Sequence, residues 1–181
     1  MMRRISVIGS SGAGKTTLSR ALAEAIGGTH IELDALYHGP NWTPAPNDEF
    51  HRQVSALAQN ECWVVDGNYS AVRDLVWGAA DTVVWIDLPR RTILPGLLRR
   101  TLTRMWNGTE LWNGNRERFR SLFDPRAENN VLLWMWTTHR ASRRIYSAAL
   151  ADPRWSHLEH HHLDSRARLA EFRRRFVNAS D

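Results

Sequence analysis

A single lysine stands among twenty-three arginines in this chain of 181 residues, and its neighbours carry the clearest chemical signal in the sequence. Lys15 belongs to Gly9–Ser10–Ser11–Gly12–Ala13–Gly14–Lys15–Thr16–Thr17, which fits the pattern GxxxxGK[ST]. In that pattern the glycines let backbone N–H groups turn inward around phosphate oxygens, and the helix that follows offers the positive end of its dipole. A flexible ammonium can follow a phosphoryl group as it moves, whereas a planar guanidinium is bulkier and differently directed. The Thr16 hydroxyl is the group placed to reach a magnesium ion on the same phosphates. Where arginine has displaced lysine everywhere else, drift is a poor explanation for Lys15.

Such a loop needs a strand before it and a helix after it, and both are legible. Ile5, Val7 and Ile8 form a short β-type run, while Leu18, Leu22, Ala25 and Ile26 mark one face of a helix that Gly27–Gly28 ends. Beyond it, strand-like and helical segments alternate as a parallel α/β sheet requires. Strands are expected near Thr29–Leu33, Cys62–Asp66, Thr82–Asp87 and Ser156–Leu163. Helices are expected over Asp48–Gln59, part of Thr92–Arg104, Glu128–Leu150 and Arg166–Phe176. The second to fourth strands end in carboxylates: Glu32 and Asp34, then Asp66, then Asp87. In open α/β sheets ligands gather at the carboxyl ends of the strands, so these acids would converge beside the glycine-rich loop. An acid there can hold a magnesium-bound water or receive the proton of an attacking hydroxyl. Asp34 and Asp66 are read in that way; Asp87, before Leu88–Pro89, serves equally well as a cap or turn.

Composition narrows the classes further. A hydrophobic content of 43% and a charged content of 24% exclude wholesale disorder, and the length suits one folded domain, 1–181. The longest apolar run, Val131–Leu132–Leu133–Trp134–Met135–Trp136, is far short of a bilayer span, and Met1–Gly9 reads as a first strand, not as a secretory leader. One cysteine, Cys62, permits neither an internal disulfide nor a cysteine-rich zinc site. A soluble cytoplasmic protein with no membrane association, monomeric or weakly dimeric, is expected. The net charge of +5 is unevenly placed, with −4 over residues 1–89 and +9 over residues 90–181. That basic half suits an anionic partner, nucleic acid or a small phosphorylated molecule, or else a solvated arginine surface.

Three longer stretches extend the pattern. The first is Leu33–Asp34–Ala35–Leu36–Tyr37, with Pro40–Asn41–Trp42 and Glu49–Phe50, leading into Trp63–Val64–Val65–Asp66–Gly67–Asn68–Tyr69. The others are Ala80–Arg90 and Asn113–Gly114–Asn115–Arg116–Glu117. Together with the loop they resemble the topology modulation proteins, adenylate-kinase-like P-loop proteins, from Ile5 to about Ala149. The resemblance implies an α/β, three-layer P-loop NTPase fold of the nucleoside-monophosphate-kinase type. Its five-stranded parallel sheet would have the order 2-3-1-4-5, with a helical, arginine-rich lid. It implies ATP with Mg2+, held by Gly9 to Thr17, and transfer of the γ-phosphate to a nucleotide or another small acceptor.

The same resemblance distributes roles. In such kinases the strand beside the P-loop strand ends in Asp-Gly, which Asp66–Gly67 matches, so Asp66 becomes the magnesium-side acid ahead of Asp87. Asp34 falls where similar kinases hold the acceptor, and Glu32 is expected to point the same way along a strand. Residues about 35–60 would form the acceptor-side insertion, where Trp42 either stacks on a ring or fills a core; Tyr37, Asn68, Tyr69 and Arg73 complete that side. Residues about 90–144 would form the lid. Arg99, Arg100 and Arg104 lie about a turn apart on one segment, and Arg140, Arg143 and Arg144 on another. Of these, Arg100, Arg104 and Arg140 are expected to act as a group, neutralising charge in the transition state.

Two departures limit the likeness. Adenylate kinases follow their Asp-Gly with Phe-Pro-Arg, whose arginine grips the acceptor phosphate; here Asn68–Tyr69–Ser70 follows and the nearest arginine is Arg73, which argues against AMP as acceptor. Pro95–Gly96 is expected to break or kink the first lid helix. His160, His161 and His162 are expected to face solvent, and the nine tryptophans, Trp134 and Trp136 included, to pack core and lid. Turn residues between Met105 and Arg116 mark the mobile part of the lid. Three function classes follow: an ATP-dependent phosphotransferase, a nucleic-acid-linked ATPase, and a nucleotide-binding regulator with little turnover. No recognisable nucleic-acid module is present and the arginines cluster where a lid is expected, which favours the first.

Overall fold

The structure, a computed structural model, describes residues 2–177. The apolar runs fold as five short strands: β1 (Arg4–Gly9), β2 (Thr29–Glu32), β3 (Trp63–Asp66), β4 (Thr82–Ile86) and β5 (Glu159–Leu163). All pair in parallel in the order β2-β3-β1-β4-β5, the order that the resemblance implies. The helices are α1 (Lys15–Ala25), α2 (Leu33–Tyr37), α3 (Asn47–Ala58), α4 (Ser70–Ala79), α5 (Arg90–Trp106), α6 (Val131–Leu150) and α7 (Arg166–Phe176).

Strands β3 and β4 are buried on both faces, which is why they read as continuous apolar runs. Their successive side chains still part to opposite sides. Trp63, Val65, Val83 and Trp85 pack with α3 and α4 through Phe50, Val54, Val72 and Trp77. Val64, Val84 and Ile86 pack on the other face with α1, α5, α6 and α7 through Leu18, Ile93, Leu97, Met135 and Phe172. The result is a sheet with helices on both sides, whose carboxyl edge carries the glycine-rich loop and the ends of β2 and β3.

Each expected strand and helix is present, with ends displaced by a few residues. Two helices were not foreseen. At Leu33 the chain leaves β2 and turns directly into α2, and α4 buries Val72, Val76 and Trp77 in a segment with no assigned element. Pro95 does not break its helix: α5 runs through it unbroken. Pro95 and Gly96 lie on the exposed side, where the lost backbone hydrogen bond is offset by Ile93 and Leu97, fully buried on the other side.

Of the three consecutive histidines, His160 and His162 are exposed as expected, while His161 is only partly so. His161 pairs with Glu159 at 3.0 Å and packs on the rings of Phe172 and Phe176. His162 stacks on Trp85 with ring centroids 4.3 Å apart and meets Asp87 Oδ2 at 2.9 Å. Both faces of β5 find neighbours, although His162 keeps part of its ring in solvent as His160 does. Trp134 and Trp136, by contrast, are about half exposed instead of buried, because α6 is apolar around more of its circumference than its neighbours cover; Trp136 carries the Arg90 guanidinium 4.8 Å over its ring. Among the described residues no helix is long and apolar enough to cross a membrane.

Candidate active site

From Gly9 the chain turns over the carboxyl edge of the sheet and starts α1 at Lys15. Gly14, the residue that caps α1, has φ +97°, and a Cβ there would meet open space. Among the described residues no side chain caps this helix and its first turn holds no acid, so its leading N–H groups and dipole are left to an anion. Gly12 has φ +80°, and a Cβ on it would lie 2.9 Å from Cβ of Leu97, so the back of the loop rests directly on α5. Lys15 folds over the loop, its Nζ 3.4 Å from the Ser10 carbonyl oxygen.

Asn68, two residues past the end of β3, braces the loop. Its Nδ2 donates to the Gly9 carbonyl at 2.5 Å and its Oδ1 accepts from the Gly9 N–H at 3.1 Å. The sequence reading assigns Asn68 to the acceptor; the structure commits both ends of its amide to the loop instead. Asp66 closes β3 beneath the same loop. Burial holds its carboxyl above the usual carboxylate range, with the nearby Lys15 ammonium and Thr16 hydroxyl opposing that rise in part.

Asp34 lies on α2, one residue into the turn that follows β2. The Tyr69 hydroxyl donates to its Oδ1 at 2.6 Å, and His38 Nε2 lies 3.3 Å from the same tyrosine oxygen. Glu32 does not share this direction, because the chain has turned from strand to helix between them and the two-residue alternation no longer applies. It takes hydrogen bonds from Arg20 at 2.6 Å and from the Trp112 indole at 2.8 Å. Burial would raise the Glu32 carboxyl, but those two donors outweigh it and hold the group below its usual range.

The acceptor-side aromatics form a wall. Tyr37 packs against Phe50, Tyr69 and His38. Trp42 remains 38% exposed, edge-on to His38 and Trp112, so it faces the cleft and does not fill a core. Opposite it, the stretch between α5 and α6 docks through two asparagines. Asn113 donates to the carbonyls of Ala35 and His38 at 3.2 and 2.6 Å. Asn115 donates to the Gly39 carbonyl at 2.9 Å and accepts from the Trp42 N–H at 2.8 Å.

Two of the three favoured arginines reach this cleft. Arg100 lies across from Asp34 with its Nε buried and, among the described residues, without a hydrogen-bond partner. Burial, and then the neighbouring Arg104, depress its guanidinium below the ordinary arginine range. Arg104 pairs with Glu117 at 3.5 Å. Arg140 is exposed on α6 and lines no part of the cleft, because its helix presents Met135 and His139 inward instead. Arg73 is likewise off the site: one turn into α4, it lies 5.7 Å over the Trp77 ring. Asp87 is held by Arg143 at 2.9 Å and by His162, so its carboxylate serves an ion pair between α6 and the sheet.

The cleft joining these groups encloses about 2780 Å3, several times a one-ligand pocket of roughly 300–1,000 Å3. It has room for two ligands side by side, one at the loop and one at Asp34. Sequence reasoning missed His38, Arg20, Trp112 and Asn115, all of which line it. The two Asn–Trp pairs, Asn41–Trp42 and Trp112–Asn113, were the available signal, since asparagine readily takes the left-handed backbone that both loops use.

No family model matches the chain. YqaC, an uncharacterised protein of Bacillus subtilis (strain 168), is 28% identical over 109 residues, which are 59% of this chain and 61% of that protein, so the chain matches less than two thirds of this relative's length. Among solved structures, a gluconokinase from Sinorhizobium meliloti 1021 superposes with a TM-score of 0.53 at 24% identity, covering 97% of this chain and 90% of that one. The shikimate kinase of Bacteroides thetaiotaomicron gives 0.53 at 16% identity, covering 97% and 96%. That of Acinetobacter baumannii, in complex with shikimate, gives 0.55 at 14% identity, covering 100% and 97%. At these identities the likeness establishes the fold, that of the P-loop kinases.

Proposed function

We propose that this P-loop kinase-like chain is an ATP-dependent phosphotransferase acting on a small-molecule acceptor, of the topology modulation type, with its acceptor-side insertion at about 35–60 and its lid at about 90–144. The observation that carries the reading is one cleft that combines a phosphate loop at an uncapped helix start, a solitary lysine, a held carboxylate and a guanidinium whose buried Nε has no hydrogen-bond partner among the described residues. The loop fits a polyphosphate: Gly14 leaves open space at the head of α1, and Lys15 stands beside it. Thr16 and Asp66 fit the magnesium side, since a divalent ion would relieve the cost of ionising a buried carboxyl. Bound there, Mg2+ would neutralise phosphate charge.

Asp34 faces the second half of the cleft and would take the proton of the acceptor hydroxyl. Arg100 and Arg104 stand opposite, where guanidinium groups meet the charge that spreads over the phosphoryl oxygens. Trp42, Trp112 and Tyr37 supply an apolar wall for the acceptor and exclude water from it.

The test is incubation with ATP, Mg2+ and a broad metabolite panel, with products detected by mass. A phosphorylated product that wild type makes and Lys15→Ala does not would support the reading. Near wild-type ATP turnover by Lys15→Ala would overturn it.

A further inference from the structure

We propose that Tyr69 and His38 are positioning residues for Asp34, forming a one-directional hydrogen-bond chain that holds its carboxylate toward the acceptor hydroxyl. The inference rests on the phosphotransferase reading and deepens it. A tyrosine has one O–H to give, and Tyr69 gives it to Asp34 Oδ1 at 2.6 Å. Its oxygen then has only lone pairs to offer His38 Nε2 at 3.3 Å, so the proton of a neutral His38 must reside on Nε2. The order of donation is fixed from His38 to Tyr69 to Asp34. His38 Nδ1, buried and without a partner among the described residues, is then a bare lone pair. Burial lowers the His38 imidazole, which keeps the ring neutral, and raises the Tyr69 hydroxyl, which keeps its proton in place.

The surroundings hold both donors still. The Tyr69 ring sits 4.6 Å from Tyr37 and 5.3 Å from Phe50. His38 is walled by Trp42 at 5.4 Å and by Trp112 at 6.4 Å, and its carbonyl takes the Asn113 amide. The charged groups that bear on Asp34 are Arg100 from α5 and Asp66 from the end of β3; the ionisable groups that face His38 are Asp34, Tyr37 and Tyr69. With Oδ1 occupied by Tyr69, Oδ2 is left to take the acceptor hydroxyl. A phenylalanine would fill the same ring space, so packing alone does not require the hydroxyl.

The experiment uses Tyr69→Phe, His38→Leu and His38→Gln in the full chain. In the ligand-free wild type, 15N NMR should report the Nε2–H tautomer of His38, and Tyr69→Phe should disturb it. Turnover is read with MgATP and the acceptor that the metabolite panel returns. In Tyr69→Phe and His38→Leu, kcat should fall by about tenfold to a hundredfold while KM for ATP stays within about twofold. His38→Gln, whose amide N–H can reach the same oxygen, should recover most of the rate. The double variant Tyr69→Phe/His38→Leu should be no slower than Tyr69→Phe, as expected for groups in one chain.

An Nδ1–H tautomer, an unchanged kcat in Tyr69→Phe, or His38→Gln no better than His38→Leu would overturn the proposal. If wild type phosphorylates nothing in the panel and Lys15→Ala changes nothing, the phosphotransferase reading fails instead; the tautomer measurement, made without ligand, then decides alone whether the chain of donors exists.

Discussion

Lys15 is half-buried and makes a hydrogen bond of only 3.4 Å, a length at which little stability is at stake. Lys15→Ala should therefore leave the melting temperature nearly unchanged while ATP turnover falls at least about 10²-fold, the scale of losing one preorganised charge from a transition state. Asp66 behaves in the opposite sense. Burial raises its carboxyl above the ordinary value of 3.8, so the folded chain binds that proton more tightly than the unfolded chain. Ionisation of Asp66 thus opposes folding at neutral pH, and the penalty is relieved as pH falls through the window between the raised value and 3.8. Asp66→Asn should raise the ligand-free melting temperature at pH 7, by an amount that shrinks on acidification, and should weaken Mg2+-dependent activity. Melting curves with and without MgATP check both parts; a variant less stable than wild type at pH 7 would contradict the assignment.

At the scale of elements, the most consequential contact joins two irregular loops. Each closes with a single antiparallel bridge, His38 to Pro44 and Glu110 to Arg116, and each turns through asparagine in left-handed backbone, Asn41 at φ 57° and Asn113 at φ 55°. Asn115, buried between them, satisfies a carbonyl of one loop and an N–H of the same loop three residues on. Asn115→Ala would leave both groups unpaired at about 1–3 kcal/mol each. The expected outcome is an undocked stretch between α5 and α6: faster proteolytic cleavage after residue 107 in the ligand-free protein and a KM for the acceptor raised more than that for ATP. Cleavage sites identified by mass would check this.

For the whole molecule the question is where the basic half is used. Arg100, Arg104, Arg116, Arg118 and Arg120 all line the cleft. A cleft that closes on nucleotide should become protected from proteolysis over Arg104 to Arg126 when MgATP or a bisubstrate dinucleotide is added. Duplex DNA should bind weakly at physiological salt and without sequence preference, with affinity falling steeply as salt rises. Tight duplex binding without nucleotide-dependent protection would favour a nucleic-acid-linked ATPase.

Much of this was determined by the sequence itself. The glycine-rich loop, the parallel α/β layering and the strand-end placement of Asp66 rest on local patterns: glycine spacing, short apolar runs and the helix that follows them. What only the tertiary structure decided is which residues meet across long separations. Trp112 reaches Glu32 over eighty positions, and Arg143 reaches Asp87 over fifty-six. Nothing local distinguishes Arg100, aimed into the cleft, from Arg140, turned to solvent, because in a chain this rich in arginine composition carries no contrast and each helix's inward face is set by what packs against it. The same holds for Glu32 and Asp34. Two residues apart, they would share a face on a strand; the turn into α2 between them, held by burial of Leu33, sends one to the P-loop helix and the other to Tyr69.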